Sequence, residues 1–360
     1  MGIRYDRDNR KPTNGPIILF SDASTAHILN EEVRCAINSG FSFYCYRLPN
    51  APIIMFGSSA SCVPGIGVPG FVIGMFNSEL PFITIPFEGK PLSHNQPEKC
   101  YEMPRESTSK DDYFKEIKGI QENIKEIPRA KIVAARVIRE IKKIETGELF
   151  FQLCNKFPDA YVFCFGTPQT GCWIGASPEL LLKASDHCIN TMALAGTRLK
   201  SQDYKWDEKN IEEQKIVVDY ILSILNSSGL KPIPEETFTK GIGEIEHLCT
   251  PIKVPLGDNE KIDIESLLRK FSPTPALCGE PKDLALRIIK QFEAFDRGCY
   301  GGFCGPFHNN NDFTFNVVLR CASFTERVLC IYVGGGITAK STAQSEWLET
   351  EAKYYNTFTI

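Results

Sequence analysis

The stretch CIYVGGGITAKSTAQSEWLETEAK (330–353) joins an apolar run to three glycines and then to a charged segment. The apolar residues at 328–333 predict a β-strand. Three consecutive glycines follow at 334–336, and because glycine has no side chain, their backbone N–H groups can approach a ligand closely. We therefore predict an anion-binding cradle at the end of a strand.

The charged part of this stretch predicts a helix that begins near Ser345, a residue type that caps helices. Glu346, Glu349 and Lys353 are spaced i, i+3 and i+7, which places them on one side of that helix. Two carboxylates and one ammonium would then lie beside the glycines. Taken alone, the pattern also fits a tight turn and a solvent-exposed helix with one Glu–Lys pair.

The rest of the chain shows mixed strand and helix patterns, which predict an α/β or α+β fold with a substantial antiparallel sheet. Apolar residues at helical spacing indicate helices at 109–127 and 208–227. Two apolar runs that flank the turn GTPQTG indicate a hairpin at 161–175. The segment 131–144 fits either a helix or a strand, since its periodicity does not decide between them.

One carboxylate of the predicted helix 208–227 has an unusual position. Glu213 projects from the same face as Ile216 and Val217, whereas Glu212 points away. An uncompensated charge on a core-facing surface is very costly, so Glu213 needs a cationic partner. A metal ion, a lysine or an arginine would meet this need.

Composition excludes several classes of protein. The 360 residues include 42% hydrophobic and 23% charged side chains, which excludes a disordered chain. A net charge of -4 gives no electrostatic reason to expect nucleic acid or an anionic membrane as a partner. No apolar run approaches the roughly 18 residues that a membrane helix needs.

The 14 cysteines stand singly within apolar runs and form no CxxC pair. This is typical of buried free thiols, so we expect neither disulfides nor a zinc site. The N-terminal residues contain no apolar segment that would direct export, and we expect a reducing, cytoplasmic location. A GxGxxG match at 65–70 contains Pro69 and lacks a following helix, so we interpret it as a loop.

Nine motifs carry a resemblance to a known family. They are GASPELLL, LAGTR, EKNIEEQKIVVDYI, HLCT, SPTPALCG, RGCYGG, VLRCAS, GGGIT and EWLETEAK, in that order. Over residues 131–353 the chain resembles the chorismate-utilising enzymes: the isochorismate, salicylate, anthranilate and aminodeoxychorismate synthases. The resemblance implies an α+β fold, a single large domain of two antiparallel sheets sandwiched together with helices outside. Residues 1–105 would contribute to the same body as the chorismate-binding region 106–360.

The resemblance also implies a Mg²⁺ site. Glu213 and Glu349 match the two carboxylates that hold the metal, and Glu346 matches a carboxylate that we expect to reach it through water. Oxygen ligands of this kind suit Mg²⁺. The metal would hold the ring carboxylate of chorismate, and Lys353 matches a lysine close to that end of the substrate. This agrees with the cation that Glu213 requires.

A second group of residues matches the site for the enolpyruvyl carboxylate. It consists of Tyr300, Arg320 and the backbone of Gly334, Gly335 and Gly336. The planar guanidinium of arginine suits a carboxylate, because it can donate two parallel hydrogen bonds. The alternative for Arg320 is an ordinary surface ion pair.

Two further motifs match regions near the substrate. Gly196 and Thr197, in LAGTR, are expected to contact it. His247, in HLCT, lies close to the substrate in relatives. A single histidine is as often a satisfied core residue, so both interpretations of His247 stay open.

Lys131 and Glu179 are the predicted catalytic pair. Lys131 heads KIVAAR, where isochorismate and salicylate synthases have a lysine that activates water and ammonia-using relatives lack a base. A lysine acts as a base only in its neutral form, which a dry site beside a divalent cation favours. Glu179 matches the general acid that protonates the departing 4-hydroxyl, so its pKa should be raised.

Five positions bear on the choice of chemistry. Ala195 occupies the place where aminodeoxychorismate synthases commonly present a nucleophilic lysine, and Ala276 is more similar to isochorismate than to anthranilate synthases. Both therefore point away from ammonia. Three departures from the family pattern are Gln214 and Ser272, each in place of a histidine, and Gly335 in place of an alanine. None of them removes a predicted catalytic group.

The implied reaction is attack of water on C2 of chorismate, with loss of the C4 hydroxyl and a shift of the double bonds. The first interpretation is therefore an isochorismate synthase for menaquinone or siderophore biosynthesis. A salicylate synthase, which eliminates pyruvate afterwards, is the alternative, and a non-catalytic chorismate- or metal-binding protein is a third. We expect a monomer or a weakly associating homo-oligomer with chorismate as its partner, and neither nucleic acid nor membrane.

Overall fold

The computed structural model describes residues 17–20, 23–87, 101–200, 205–242, 245–257 and 262–358. The N-terminal leader before residue 17, and most of a polar stretch at 88–108 that is a candidate domain boundary, lie outside the described residues. The helices within these ranges are α1 (Ala23–Asn38), α2 (Lys110–Ile124), α3 (Thr146–Lys156), α4 (Glu208–Ser227), α5 (Ile264–Phe271), α6 (Lys282–Phe292) and α7 (Ala343–Phe358).

The described strands fall into three stretches of the chain. The N-terminal strands are β1 (Ile17–Phe20), β2 (Ser42–Arg47), β3 (Ile53–Ser59), β4 (Val63–Pro64), β5 (Gly70–Gly74) and β6 (Ile83–Pro86). The central strands are β7 (Lys131–Ile141), β8 (Tyr161–Thr167), β9 (Gly171–Ser177), β10 (Leu180–Ser185), β11 (Cys188–Leu199), β12 (Ile233–Pro234), β13 (Phe238–Ile242) and β14 (Ile245–Pro255). The C-terminal strands are β15 (Gly279–Glu280), β16 (Phe303–Asn309), β17 (Asp312–Val317), β18 (Cys321–Phe324) and β19 (Val328–Ile337).

The strands pair into two antiparallel sheets. The first follows the order β1-β3-β2-β8-β9-β18-β19-β7-β15, and the second the order β12-β14-β11-β10-β17-β16-β5-β6-β4, with β13 paired to β14. Their inner faces meet in an apolar core, where Tyr44 of the first sheet stacks on Phe71 of the second with ring centroids 5.2 Å apart. Helices cover the outer faces. This confirms the predicted α+β fold of two sandwiched antiparallel sheets.

The N-terminal strands belong to both sheets. β2 pairs with β8 in the first sheet, and β5 pairs with β16 in the second. These long-range pairings tie residues before 88 to the body that carries the motifs. The predicted boundary at residue 105, between the N-terminal part and the chorismate-binding region, stays a prediction.

Residues 131–141 of the ambiguous segment 131–144 form β7, a strand whose first seven residues are buried on both faces. Ile132 and Ala134 pack towards α2 and α6, whereas Ala135 and Val137 pack into the core between the sheets. A strand covered on both faces has no polar side to alternate with the apolar one. Its sequence therefore lacks the period of two that would have identified it.

The alternative interpretation of the three glycines as a tight turn is wrong, whereas the anion cradle stays a prediction. Gly334, Gly335 and Gly336 continue β19 and pair with Ala135, Ala134 and Val133 of β7, and the strand ends only at Ile337. The pairing partner holds the glycines in extended backbone.

Helix α7 also begins earlier than the predicted start near Ser345. Its first residue is Ala343, because the Thr342 hydroxyl accepts the N–H of Ser345 at 3.2 Å and so caps the helix. The other predicted helices and the hairpin are confirmed, with Ser109 capping α2 and Asp207 capping α4. All cysteines in the described ranges are free thiols, as predicted. None of the described helices is long and apolar enough to cross a bilayer.

Candidate active site

A cavity of about 220 Å³ opens where the start of β7 and the ends of β11 and β19 meet α4 and α7. It is lined by most of the predicted site residues: Lys131, Glu179, Gly196, Thr197, Glu213, His247, Tyr300, Arg320, Gly334, Gly335, Gly336, Glu349 and Lys353. Glu346 does not line the cavity but lies buried next to Gly335. The fold therefore brings together residues that lie far apart in the sequence, and the role of each stays a prediction.

The glycine strand leaves backbone open to the cavity. β19 pairs with β18 only as far as Tyr332, so beyond that residue one edge of β19 is free of strand partners in the described pairing. The Lys353 ammonium uses part of this edge, since it donates to the Gly334 carbonyl at 3.0 Å. The absence of side chains matters as well, because a Cβ on Gly334 would lie 2.8 Å from the Tyr300 hydroxyl.

Three carboxylates converge on two adjacent glycines. A Cβ on Gly335 would lie 3.0 Å from Glu346 Oε2 and 3.9 Å from Glu349 Oε1. A Cβ on Gly336 would lie 3.4 Å from Glu213 Oε1. The glycines therefore provide the space into which these three side chains point from α4 and α7.

Lysines partner two of the carboxylates. The buried Lys131 ammonium contacts Glu213 directly, and Lys353 donates to Glu349 at 2.7 Å. Lys131 is 5% exposed, so its end of this ion pair is shielded from water, whereas the Glu213 side chain is half-buried at the cavity. Of the three cations that would satisfy Glu213, the structure supplies a lysine.

Carboxylate oxygens are the type of ligand that a divalent metal prefers. In this structure, however, the three carboxylates are not grouped closely enough to enclose one. Among the described residues, no three His, Cys, Asp or Glu side chains are grouped closely enough to hold a metal ion. Glu213, Glu346 and Glu349 nevertheless supply the hard oxygen donors that Mg²⁺ prefers, around a space that a Cβ would otherwise fill. To bind Mg²⁺, Glu213 and Glu349 would have to exchange their lysine contacts for the metal.

Glu179 is a buried acid. It follows β9 in the cavity wall, is 4% exposed, and lies 3.5 Å from the Thr274 hydroxyl. Burial raises its pKa to about 8, although the Thr274 hydroxyl and the charges of Lys131 and Lys240 oppose the shift. The raised pKa predicted from the sequence is confirmed, and at neutral pH Glu179 carries a proton that it can donate.

Arg320 is held in an uncommon conformation beside the cavity. Its φ of 47° lies in the left-handed region, which residues other than glycine seldom adopt. Burial lowers the pKa of Arg320 to about 10. In the part of the chain that the structure describes, no acidic side chain forms an ion pair with it, so the alternative of a surface ion pair is wrong. A positive charge that is shielded from water without an ion-pair partner is costly, so we expect the Arg320 guanidinium to bind an anionic ligand.

The LAGTR motif forms an irregular end of β11. The register shifts there, and Gly196 adopts a φ of 69°. The Thr197 N–H then donates to Asn210 Oδ1 at 3.1 Å, and Asn210 in turn donates to Asp207 at 2.7 Å. Asn210 and Asp207 line the cavity and were not predicted. The sequence signal that could have revealed them is the three-residue spacing between Asp207 and Asn210, which is typical of a helix N-cap at the start of α4.

A buried ion pair fixes the wall behind the cavity. Arg297 and Glu293 contact each other with almost no exposure to solvent. Arg297 also donates to the carbonyls of Leu277 at 2.6 Å and Val133 at 2.7 Å, and Glu293 accepts the Ala135 N–H at 3.1 Å. Leu277 and Val133 both line the cavity, so this pair supports its shape.

Two of the departures from the family pattern have structural roles. Gln214 points away from the cavity and donates to the Ala193 carbonyl at 3.0 Å and the Thr250 hydroxyl at 2.8 Å. Ser272 is buried and caps the end of α5, where its N–H donates to the Leu268 carbonyl at 2.8 Å. Neither lines the cavity.

Comparisons with known proteins agree with this architecture. Residues 86–358 match the family described as chorismate binding enzyme. Isochorismate synthase DhbC of Bacillus subtilis is 32% identical over 62% of this chain and 61% of its own length. Anthranilate synthase component 1 of Saccharolobus solfataricus is 27% identical over 69% and 61%. The chain therefore spans about three fifths of the length of these relatives.

A solved structure extends the similarity to the whole chain. MenF, the menaquinone-specific isochorismate synthase of Escherichia coli, has a TM-score of 0.76 over 97% of this chain and 95% of that chain. The sequence identity is 20%, so the likeness establishes the fold alone.

Proposed function

The chain belongs to the family of chorismate-binding enzymes, and from that premise we propose that it is an isochorismate synthase, which adds water to C2 of chorismate. The observation that carries the proposal is that Lys131 and Glu179 line one cavity. A candidate base and a protonated acid are then available to the same small molecule. Water is a weak nucleophile that benefits from a base, so a lysine at position 131 favours water over ammonia.

The substrate would be held through its two carboxylates. Arg320, Tyr300 and the open edge of the glycine strand form the binding site for the enolpyruvyl carboxylate. The support for this part of the proposal is that Arg320 lines the cavity and forms no direct ion pair among the described residues, with only the charge of Asp159 acting on it from farther away. A bidentate contact between guanidinium and carboxylate would satisfy its charge and fix the orientation of the ring.

Lys131 and Glu179 would move one proton each. The Lys131 Nζ takes a proton from the attacking water, and Glu179 gives its proton to the C4 hydroxyl, which leaves as water. The new C–O bond forms at C2 as the C4–O bond breaks, so one water enters and one leaves. Lys131 contacts Glu213 in this structure, so its Nζ can reach the attacking water only once Glu213 releases it.

Glu213 and Glu349 would hold Mg²⁺, with Glu346 reaching it through water, and Lys353 would stand beside them. The metal would neutralise the ring carboxylate and stabilise the negative charge that develops nearby. The support for this is the convergence of the three carboxylates at Gly335 and Gly336. Isochorismate would be released unchanged, for menaquinone or siderophore biosynthesis.

The test is to incubate the purified chain with chorismate, with and without Mg²⁺, and to separate the products. The proposal expects isochorismate only when Mg²⁺ is present, and no pyruvate. Salicylate with an equal amount of pyruvate would replace the proposal with a salicylate synthase. Unchanged chorismate under both conditions would refute the enzymatic function.

A further inference from the structure

His247 connects two walls of the cavity through its ring nitrogens. It lies on β14, opposite the LAGTR end of β11. Its Nδ1 lies 2.8 Å from the Gly196 carbonyl oxygen, and its Nε2 lies 3.2 Å from Nη2 of Arg320. The Thr197 hydroxyl is more distant, at 3.5 Å from Nδ1.

These two partners determine where the ring carries its proton. A carbonyl oxygen only accepts hydrogen bonds, so Nδ1 must carry a hydrogen. A guanidinium nitrogen only donates, so Nε2 must be unprotonated and accept. The ring is therefore the neutral Nδ1–H form, and a second proton would put an N–H group against the guanidinium.

The electrostatics agree with this assignment. Burial, together with the charge of Arg320, lowers the pKa of His247 to about 3. Both ring nitrogens are engaged by protein groups, and the ring stays neutral at neutral and mildly acidic pH. His247 therefore has neither the charge to bind a carboxylate nor a free nitrogen to transfer a proton.

Arg320 needs a hydrogen-bond partner that holds its guanidinium in one position. Its side chain is long and has several rotatable bonds, and holding them in one geometry costs rotamer entropy. The other charged groups that line the cavity, such as Lys353 and Glu349, contact each other and do not pair with Arg320. Among the described residues, the side chain that donates to or accepts from the Arg320 guanidinium is His247.

We propose that His247 is a positioning residue, which bridges the Gly196 carbonyl and the Arg320 guanidinium so that Arg320 points at the substrate carboxylate. The inference rests on the proposed function, because it takes the carboxylate of chorismate as the ligand of Arg320. In this role His247 is neither a ligand of the substrate nor merely a satisfied core residue. It also links the irregular end of β11 to the carboxylate site across the cavity.

Two substitutions separate the two hydrogen bonds. In His247→Asn, the amide nitrogen can occupy the position of Nδ1 and still donate to Gly196, but nothing reaches Arg320. In His247→Gln, the longer side chain can place its oxygen near the position of Nε2 and accept from Arg320. The exposed residue His308 offers the matched control, His308→Asn.

The kinetic readout is the division of the effect between KM and kcat. A hydrogen bond to a charged group is worth enough to raise the KM for chorismate about 10-fold to 100-fold in His247→Asn, with kcat changed less than about threefold. His247→Gln should keep a KM close to that of the unaltered chain. A loss of kcat that is equal in both variants, with KM unchanged, would overturn the proposal in favour of proton transfer. An unchanged KM in His247→Asn would overturn it as well.

A second readout does not depend on activity, so it separates this proposal from the proposed function. The chain has 5 histidines, few enough for long-range ¹H–¹⁵N spectra of histidine-labelled protein, with His247 assigned by the loss of its signals in His247→Gln. The expected result is a protonated Nδ1 and an unprotonated Nε2, unchanged from neutral pH to mildly acidic pH. A doubly protonated ring or an Nε2–H form would overturn the positioning role even if the chain produced isochorismate.

Discussion

Replacing Glu179 with glutamine tests the buried acid in two ways. Burial raises the pKa of Glu179 from 4.5 to about 8 in the folded chain, whereas the unfolded chain exposes the carboxyl to water. Between these two values the folded state binds one more proton than the unfolded state. Because the folded pKa is the higher one, the stability that this group contributes is complete below about pH 4.5. It falls as the pH rises towards about 8.

The size of the effect follows from the linkage between protons and folding. Each pH unit in this interval lowers the free energy of unfolding by roughly 1.4 kcal/mol, which gives about 4 kcal/mol between about pH 5 and about pH 8. Glutamine has nearly the same shape as a protonated glutamate and does not ionise. Glu179→Gln should therefore gain stability relative to the unaltered chain as the pH rises, by an amount approaching this value.

The assay is chemical denaturation of both proteins at several pH values, followed by tryptophan fluorescence and circular dichroism. The matched control is Glu122→Gln, since Glu122 is exposed on α2 and changes its surroundings little on unfolding. Isochorismate formation by Glu179→Gln should also fall by about 10²-fold to 10⁴-fold, the usual contribution of a general acid. A constant stability difference across the pH range would refute the buried, protonated Glu179, and full activity would refute its role as the acid.

Three further substitutions test other parts of the site. Lys131→Ala should lower isochorismate formation by about 10²-fold to 10⁴-fold while the Kd for chorismate, measured by calorimetry, changes little. An active variant would rule out this base. In Gly336→Ala the new Cβ would overlap the Lys131 side chain, so we expect a loss of at least about tenfold in turnover, against none for Gly67→Ala, which has open space around it. Equal rates for the two alanine variants would contradict the packing argument. Arg297→Met leaves Glu293 buried without its partner and should lower the free energy of unfolding by about 3–5 kcal/mol in urea denaturation. A loss below about 1 kcal/mol would show that the pair is not needed.

The sequence predicted the site better than the local structure around it. Ordered motifs were enough to select Lys131, Glu179 and Arg320, because each lies within a recognisable pattern. The structure places them in one cavity. Their surroundings came only from the fold, since the contact between Lys131 and Glu213 joins the first residue of β7 to the second turn of α4.

The errors have a physical cause in each case. The glycines at 334–336 suggested a turn because their conformational freedom is visible in the sequence, whereas the long-range pairing with β7 that keeps them extended is not. The strand β7 was ambiguous because it is covered on both faces and so has no polar period. Asn210 was missed because its role, fixing Thr197 across the cavity, depends on a contact between two elements.

The central claim is that water attacks C2 of chorismate, and an isotope measurement tests it most directly. The purified chain would convert chorismate in H₂¹⁸O with Mg²⁺ present, and mass spectrometry would locate the label in the isolated product. The account predicts isochorismate with one ¹⁸O atom, at the C2 hydroxyl, and an ¹⁸O content equal to that of the solvent. Isochorismate without label would contradict the account, because the hydroxyl would then have moved within the substrate and Lys131 would have no water to activate.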